Sequence, residues 1–294
     1  MKAGVEVLKN FRGILGTVSA SLRISRHAGR NQRAVRAGTQ PGAEFFHSEL
    51  QRFLGCDDGW LAQTAAEYLA CRAAWRYLSG LRSSSRKMDG LAKSLDVAEG
   101  FAAWALVKRV RPKVVVELGV QYGISARLWK EALNAYVPEH ELILCDLADV
   151  RHLIGDDECV FLKGDARELL PGVFATRSVG ILHNDAHPYN LIQWSVAEAL
   201  KHKVPVLTFH DVGHRHPRGP FRADSSRLSE EQRLANGENW SQYGHWERHV
   251  IADVFDSRVL QEDRVVGDAY RIQVFDSLYG FGTVLSGERE GVTV

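Results

Sequence analysis

Six of the twelve histidines, His183, His187, His202, His210, His214 and His216, fall between positions 183 and 216. An imidazole that titrates near neutrality can take a proton from a hydroxyl, so such a cluster is a candidate acid–base centre. Two acids stand among them, Asp185 just before His187 and Asp211 directly after His210. His187 is the strongest candidate base, because Pro188 prevents a smooth helix start and holds the ring in a loop. Asp185, His210 and Asp211 would orient it. For any single histidine a structural hydrogen bond is the competing role. Beyond Gly213, Arg215, Arg218 and Arg222 could grip a phosphate or carboxylate in a long loop, or form only a solvated basic face.

The elements that must position these residues are strands. Val114, Val115 and Val116 read as a strand covered on both faces, running into Glu117 and a turn that contains Gly119 and Gly123. The glycines permit positive φ and close approach, and Ser125 stands in the helix start that follows. Residues 142–146, 160–165, 179–185 and 204–211 are four further apolar runs, ending at Asp146, Gly164-Asp165, Asn184-Asp185 and His210-Asp211. Amphipathic segments separate the runs, which predicts an α/β fold with a doubly wound, mostly parallel sheet. Residues 269–275 and 282–285 read as a C-terminal antiparallel hairpin through Gly280. Ligands of such sheets bind at the carboxyl ends of the strands. The first turn lacks the G-x-G-x-x-G of dinucleotide enzymes, which separates this chain from a nicotinamide dehydrogenase.

This series resembles the class I S-adenosylmethionine-dependent methyltransferases, and within them the branch of cephalosporin-hydroxylase-like and sugar O-methyltransferase proteins. Glu117, Gly119, Gly123 and Ser125 fit that branch's E-x-G-x-x-x-G-x-S motif position for position. The resemblance covers about residues 90–290. It implies S-adenosyl-L-methionine as cofactor, bound by those four residues, by Asp146 at the ribose hydroxyls and by Asp165 beside the adenine. The branch's D-G-x-H-x-Y falls on Asn184 to Tyr189, and its H-D on His210-Asp211. One departure is Asn184, where relatives that bind a divalent cation carry a carboxylate. An amide oxygen is a weaker ligand for a hard cation, so a Mg²⁺ site would need Asp185 in its place, with Asp211. Two chemistries stay open: His187 as general base, or a metal on Asp185 and Asp211 that lowers the pKa of the acceptor hydroxyl. The histidine-rich spacing would also tolerate a transition metal.

The resemblance implies O-methylation of a sugar or another small hydroxylated metabolite. The alternatives are a nucleic-acid methyltransferase, which the fourth-strand motif does not favour, a cephalosporin-hydroxylase-like protein, or a non-catalytic cofactor-binding module. Composition is that of an ordinary globular chain, with 45% hydrophobic and 25% charged residues among 294. Cys56, Cys71, Cys145 and Cys159 lack C-x-x-C spacing, and no apolar run is long enough to span a bilayer. A cytoplasmic protein with reduced thiols is expected.

The net charge of +1 hides an asymmetry. Residues 1–43 hold eight lysines and arginines against Glu6 alone, which gives +7 there and −6 in the remainder. Val5, Leu8, Phe11, Leu15, Val18 and Leu22 recur at helical spacing. This stretch could meet an anionic membrane surface, a partner or nucleic acid, or dock as a helix on the rest of the chain. A second helical pattern runs from about 45 to 78, a small polar linker follows at 79–86, and a helix is expected over 91–110. The division expected is a basic N-terminal helical region, 1–88, and a methyltransferase domain, 89–294.

Overall fold

The computed structural model describes residues 41–71, 95, 97–121, 123–151, 159–213, 246–276 and 279–286. Residues 1–40, the linker at 79–86, the boundary at 88, and His214, Arg215, His216, Arg218 and Arg222 lie outside them.

Five parallel strands form the first part of one sheet: β1 (Val114–Leu118), β2 (Glu141–Asp146), β3 (Val160–Lys163), β4 (Ile181–Asn184) and β5 (Val206–Phe209). Then come β6 (Arg264–Val266), β7 (Tyr270–Phe275) and β8 (Phe281–Ser286), paired antiparallel, in the overall order β3-β2-β1-β4-β5-β8-β7-β6. The expected α/β sheet and C-terminal hairpin are therefore present. The short edge strand β6 was not foreseen, because three residues with one buried side chain carry no readable alternation.

Helices cover both faces. On one lie α1 (Pro41–Leu54), α2 (Asp58–Ala70), α3 (Val97–Val110) and α4 (Ile124–Tyr136); on the other lie α5 (Ala166–Thr176), α6 (Tyr189–Lys201) and α7 (Trp246–Val254). Alternate residues of β1 feed the two layers, Val115 toward α3 and α4, Val114, Val116 and Leu118 toward the opposite face. The helical pattern over 45–78 is broken at 55–57. Gly55 takes φ +61°, and the Asp57 carboxylate caps α2 by accepting from the Trp60 N–H at 2.7 Å. Phe46 and Phe53 of α1 pack edge-on against Phe275 of β7, which joins this part of the N-terminal region to the sheet's own core.

Register places a polar row inside the first layer. Glu117 of β1 lies beside His183 of β4, His183 beside Thr208 of β5, Thr208 beside Thr283 of β8, and Thr283 beside Gln273 of β7. All five are buried. His183 meets the Thr208 hydroxyl at 2.9 Å through Nδ1 and packs against the Trp129 ring.

Candidate active site

The carboxyl ends of β1 and β2 build one half of the site. Gly119 has φ +85°, and a Cβ there would meet the backbone of Asp185 and Ala186 at 2.7–2.8 Å. Glycine is thus required for β1's turn to sit against the end of β4. Gly123 opens α4 at φ +69° with no side-chain cap, so the first N–H groups of α4 face the turn without a protein acceptor from the capping residue. The Asp146 carboxylate at the tip of β2 holds this turn, accepting from Val120 N–H at 2.8 Å and Gln121 N–H at 3.0 Å through Oδ2, and from Ala148 N–H through Oδ1. Beside it Leu147 is 60% exposed, an apolar side chain at a strand tip that sequence reading passed over.

Glu117 lies fully buried behind the turn. Ser125 donates to its Oε1, while Oε2 has no hydrogen-bond partner. Burial raises its pKa well above the usual carboxylate range, and the charges of Asp185 and Asp146 add to that, against the Ser125 hydrogen bond. Ser125 therefore touches Glu117. Asp165 caps α5, accepting from the Arg167 N–H at 2.9 Å.

The ends of β4 and β5 build the other half. Asn184 is buried with its Oδ1 accepting from Ser195 of α6 at 2.6 Å, so it faces the layer opposite the site. The next residue, Asp185, faces the site, and its Oδ1 is 3.1 Å from His210 Nδ1. His210 is buried, with Asp211 Oδ1 at 3.4 Å from the same nitrogen and Glu99 Oε2 at 3.5 Å from Nε2. Burial alone would lower the His210 pKa, but the charges of Asp185 and Asp211 outweigh it and raise it well above the usual imidazole range. Asp211 adopts φ +57°, a left-handed backbone that costs a non-glycine residue about 1–3 kcal/mol and recurs at functional sites.

His187 stands over these acids. Its Nδ1 is 3.0 Å from Glu247 Oε1 and 3.9 Å from Asp211 Oδ2. The sequence led to an imidazole near neutrality; the structure corrects this. Burial would lower its pKa, but the hydrogen bond and charge of Glu247, with Asp211 and Asp185 behind, raise it to about 9. Burial in turn lifts the Glu247 carboxyl to about 7 against the pull of His187. Asp185, His187 and Asp211 each offer a ligand atom, all within 4.8 Å of one another, which is a donor set able to hold a divalent ion.

The histidine cluster divides. His187 and His210 reach the site. His183 is enclosed in the polar row, where burial lowers its pKa to about 4, and His202 ends α6, stacked on Phe174. Two acids that the sequence reading missed complete the site. Glu99 of α3 accepts from the N–H groups of Tyr279 and Gly280 at 3.0 and 2.8 Å and faces His210. Glu247 comes from α7 and is wholly buried.

The sheet is thus parallel over its first five strands, carries its acids at one edge and is closed by an antiparallel pair beyond β5. No protein-family model matches the chain, and no curated protein does. Among solved structures it is similar to the SAH-bound methyltransferase PaMTH1 of Podospora anserina, at 15% identity and TM-score 0.48 over 74% of this chain and 88% of that one. It is likewise similar to the SAH complex of an O-methyltransferase from Bacillus cereus, at 14% identity and TM-score 0.49 over 72% and 91%. A third is the O-methyltransferase TomG of Streptomyces achromogenes, bound to SAM, at 14% and 0.49 over 71% and 89%. At this distance the chemistry has to be drawn from the chain's own residues. Among the described residues no helix is long and apolar enough to cross a membrane.

Proposed function

We propose that the chain is an S-adenosylmethionine-dependent O-methyltransferase acting on a sugar or another small hydroxylated metabolite. The observation that carries this reading is the pairing, at one sheet edge, of the Asp146–Glu117 turn with the Asp185, His187 and Asp211 cluster. The turn fits the cofactor. An ionised carboxylate has about four acceptor positions, and Asp146 uses three, so a ribose hydroxyl can still donate to it. Leu147 offers an apolar face for an adenine ring, the uncapped start of α4 suits a carboxylate, and the unpartnered Glu117 Oε2 suits the cationic end of the same molecule. Bound there, the cofactor supplies an already activated methyl group.

What this chain's residues contribute is alignment, exclusion of water and removal of a proton from the acceptor. His187 in its neutral form takes that proton, and the charges of Asp211 and Asp185 stabilise the charge it acquires. In the second version Asp185 and Asp211 would hold a Mg²⁺-like ion, whose charge would make an adjacent hydroxyl more acidic. Calorimetry tests the cofactor half: S-adenosylhomocysteine should bind, and Asp146→Ala should weaken it by about 1–3 kcal/mol, the scale of a hydrogen bond to a charged group. Saturable NADH binding without S-adenosylmethionine binding would remove the reading.

In this reading the catalytic residues belong to 89–294, and the basic stretch within 1–88 serves an anionic surface. Removing residues 1–40 should abolish association with acidic liposomes, an association that salt should weaken, and leave S-adenosylhomocysteine affinity unchanged. Liposome binding that survives the deletion would count against it.

A further inference from the structure

Position 247 poses a question of its own. On α7, Trp246, Val250 and Ile251 are core residues of the second layer, yet between them sits an acid with no exposure and one oxygen, Oε2, without a partner. An aliphatic side chain would fill that space without the cost of burying a carboxylate. What the acid contributes is its other oxygen, Oε1, 3.0 Å from His187 Nδ1. His187 keeps 22% of its side chain exposed, so the partner that fixes it lies inside the protein while the ring reaches the site.

The helix that carries Glu247 is fastened independently of this contact. Arg248, fully buried, donates to the carbonyls of Val259 at 2.7 Å and Val212 at 3.1 Å and to Asp263 at 3.0 Å. Asp253 accepts from the Tyr189 hydroxyl at 2.7 Å, which ties α7 to the first residue of α6, two positions beyond His187. Glu247 is thus held at a fixed place relative to the loop it contacts.

We propose that Glu247 is the positioning residue of the site: it accepts the Nδ1–H of His187, so Nδ1 stays with Glu247 and Nε2 is the nitrogen left for the acceptor hydroxyl, or for an ion held with Asp185 and Asp211. An ionised carboxylate can only accept, so with Glu247 in that form this contact puts the proton on Nδ1, and once the ring is neutral Nε2 is its basic nitrogen. The role deepens the methyltransferase reading and rests on it, but the hydrogen bond can be observed without any acceptor.

The test is nuclear magnetic resonance on the full chain labelled with ¹⁵N-histidine and supplied with S-adenosylhomocysteine. His187 should show a slowly exchanging, far-downfield proton on Nδ1. Glu247→Gln, whose amide oxygen still accepts, should retain it, and Glu247→Leu should lose it. Added Mg²⁺ should leave that proton in place. A His187 whose Nδ1 is unprotonated in the unaltered chain, a resonance unchanged in Glu247→Leu, or its displacement by Mg²⁺ would overturn the proposal. The measurements on the unaltered chain and on Glu247→Gln decide the matter even if Glu247→Leu fails to fold. S-adenosylhomocysteine binding read in the same samples keeps a failure of the methyltransferase reading separate from a failure of this one.

Discussion

In a radiolabelled methyl-transfer assay with a hydroxylated acceptor, His187→Ala is expected to cut turnover by roughly 10²- to 10⁴-fold while cofactor affinity is retained. The pH dependence gives this expectation a sign. With the His187 pKa at about 9, the ring is charged at pH 7 in the chain alone, and the basic form gains population as pH rises. The rate should therefore climb through a limb near pH 9, and His187→Ala should lose that limb. A divalent ion on Asp185 and Asp211 would add positive charge beside the ring and move the limb down. In that version chelation should abolish turnover and Asp211→Asn should mimic chelation. A limb unchanged in His187→Ala would exclude the histidine as base.

The second large effect concerns stability. Arg248 is the fully buried cation that joins α7, the segment after β5 and the short 3-10 turn at Ser257–Leu260. Arg248→Ala would take the guanidinium donor from the buried Val212 and Val259 carbonyls and open a cavity as well. Leaving a buried carbonyl without a donor costs about 1–3 kcal/mol each, and equilibrium unfolding in denaturant should register a loss of about 2–6 kcal/mol for the two. A change below about 1 kcal/mol would mean that water replaces the guanidinium. Val212 follows Asp211 directly, so the loss should also loosen the left-handed turn that aims Asp211 into the site.

The strand tips were legible in the sequence for a physical reason. A strand buried on both faces reads as a mainly apolar run, and the polar residues that close it mark the tip. Asp146, Asp185, His210 and Asp211 were found that way, and the structure puts them at the carboxyl ends of β2, β4 and β5. The departure at Asn184 also resolves through strand alternation: the amide turns toward Ser195 and α6, and the neighbouring Asp185 turns toward the site.

Glu99 and Glu247 were not legible. Acids on amphipathic helices ordinarily mark the solvated face, and nothing local tells that these two are turned inward. Glu247 is harder still, because α7 follows a long segment without apolar period and meets β4's loop only in three dimensions. The raised pKa of His187 was hidden for the same reason, since its largest raising cause is Glu247, 60 residues away in the chain. Leu147 escaped because a single apolar residue after a strand carries no signal until its exposure is seen.

The buried polar row from Glu117 through His183, Thr208 and Thr283 to Gln273 bears on how the sheet finds its alignment. Apolar strands of similar composition can pair in several offsets at little difference in energy, since one valine replaces another. A shift of β4 by a single residue would carry His183 to the opposite layer, among Leu170, Phe174 and Val196, and would strip Thr208 of its partner. Mispaired sheets are thereby penalised while the chain is still assembling, and the five residues act as an indexing mark for the strands. Changes in the loops beyond the strand tips can then leave the pairing of the strands undisturbed, provided that this mark is left in place.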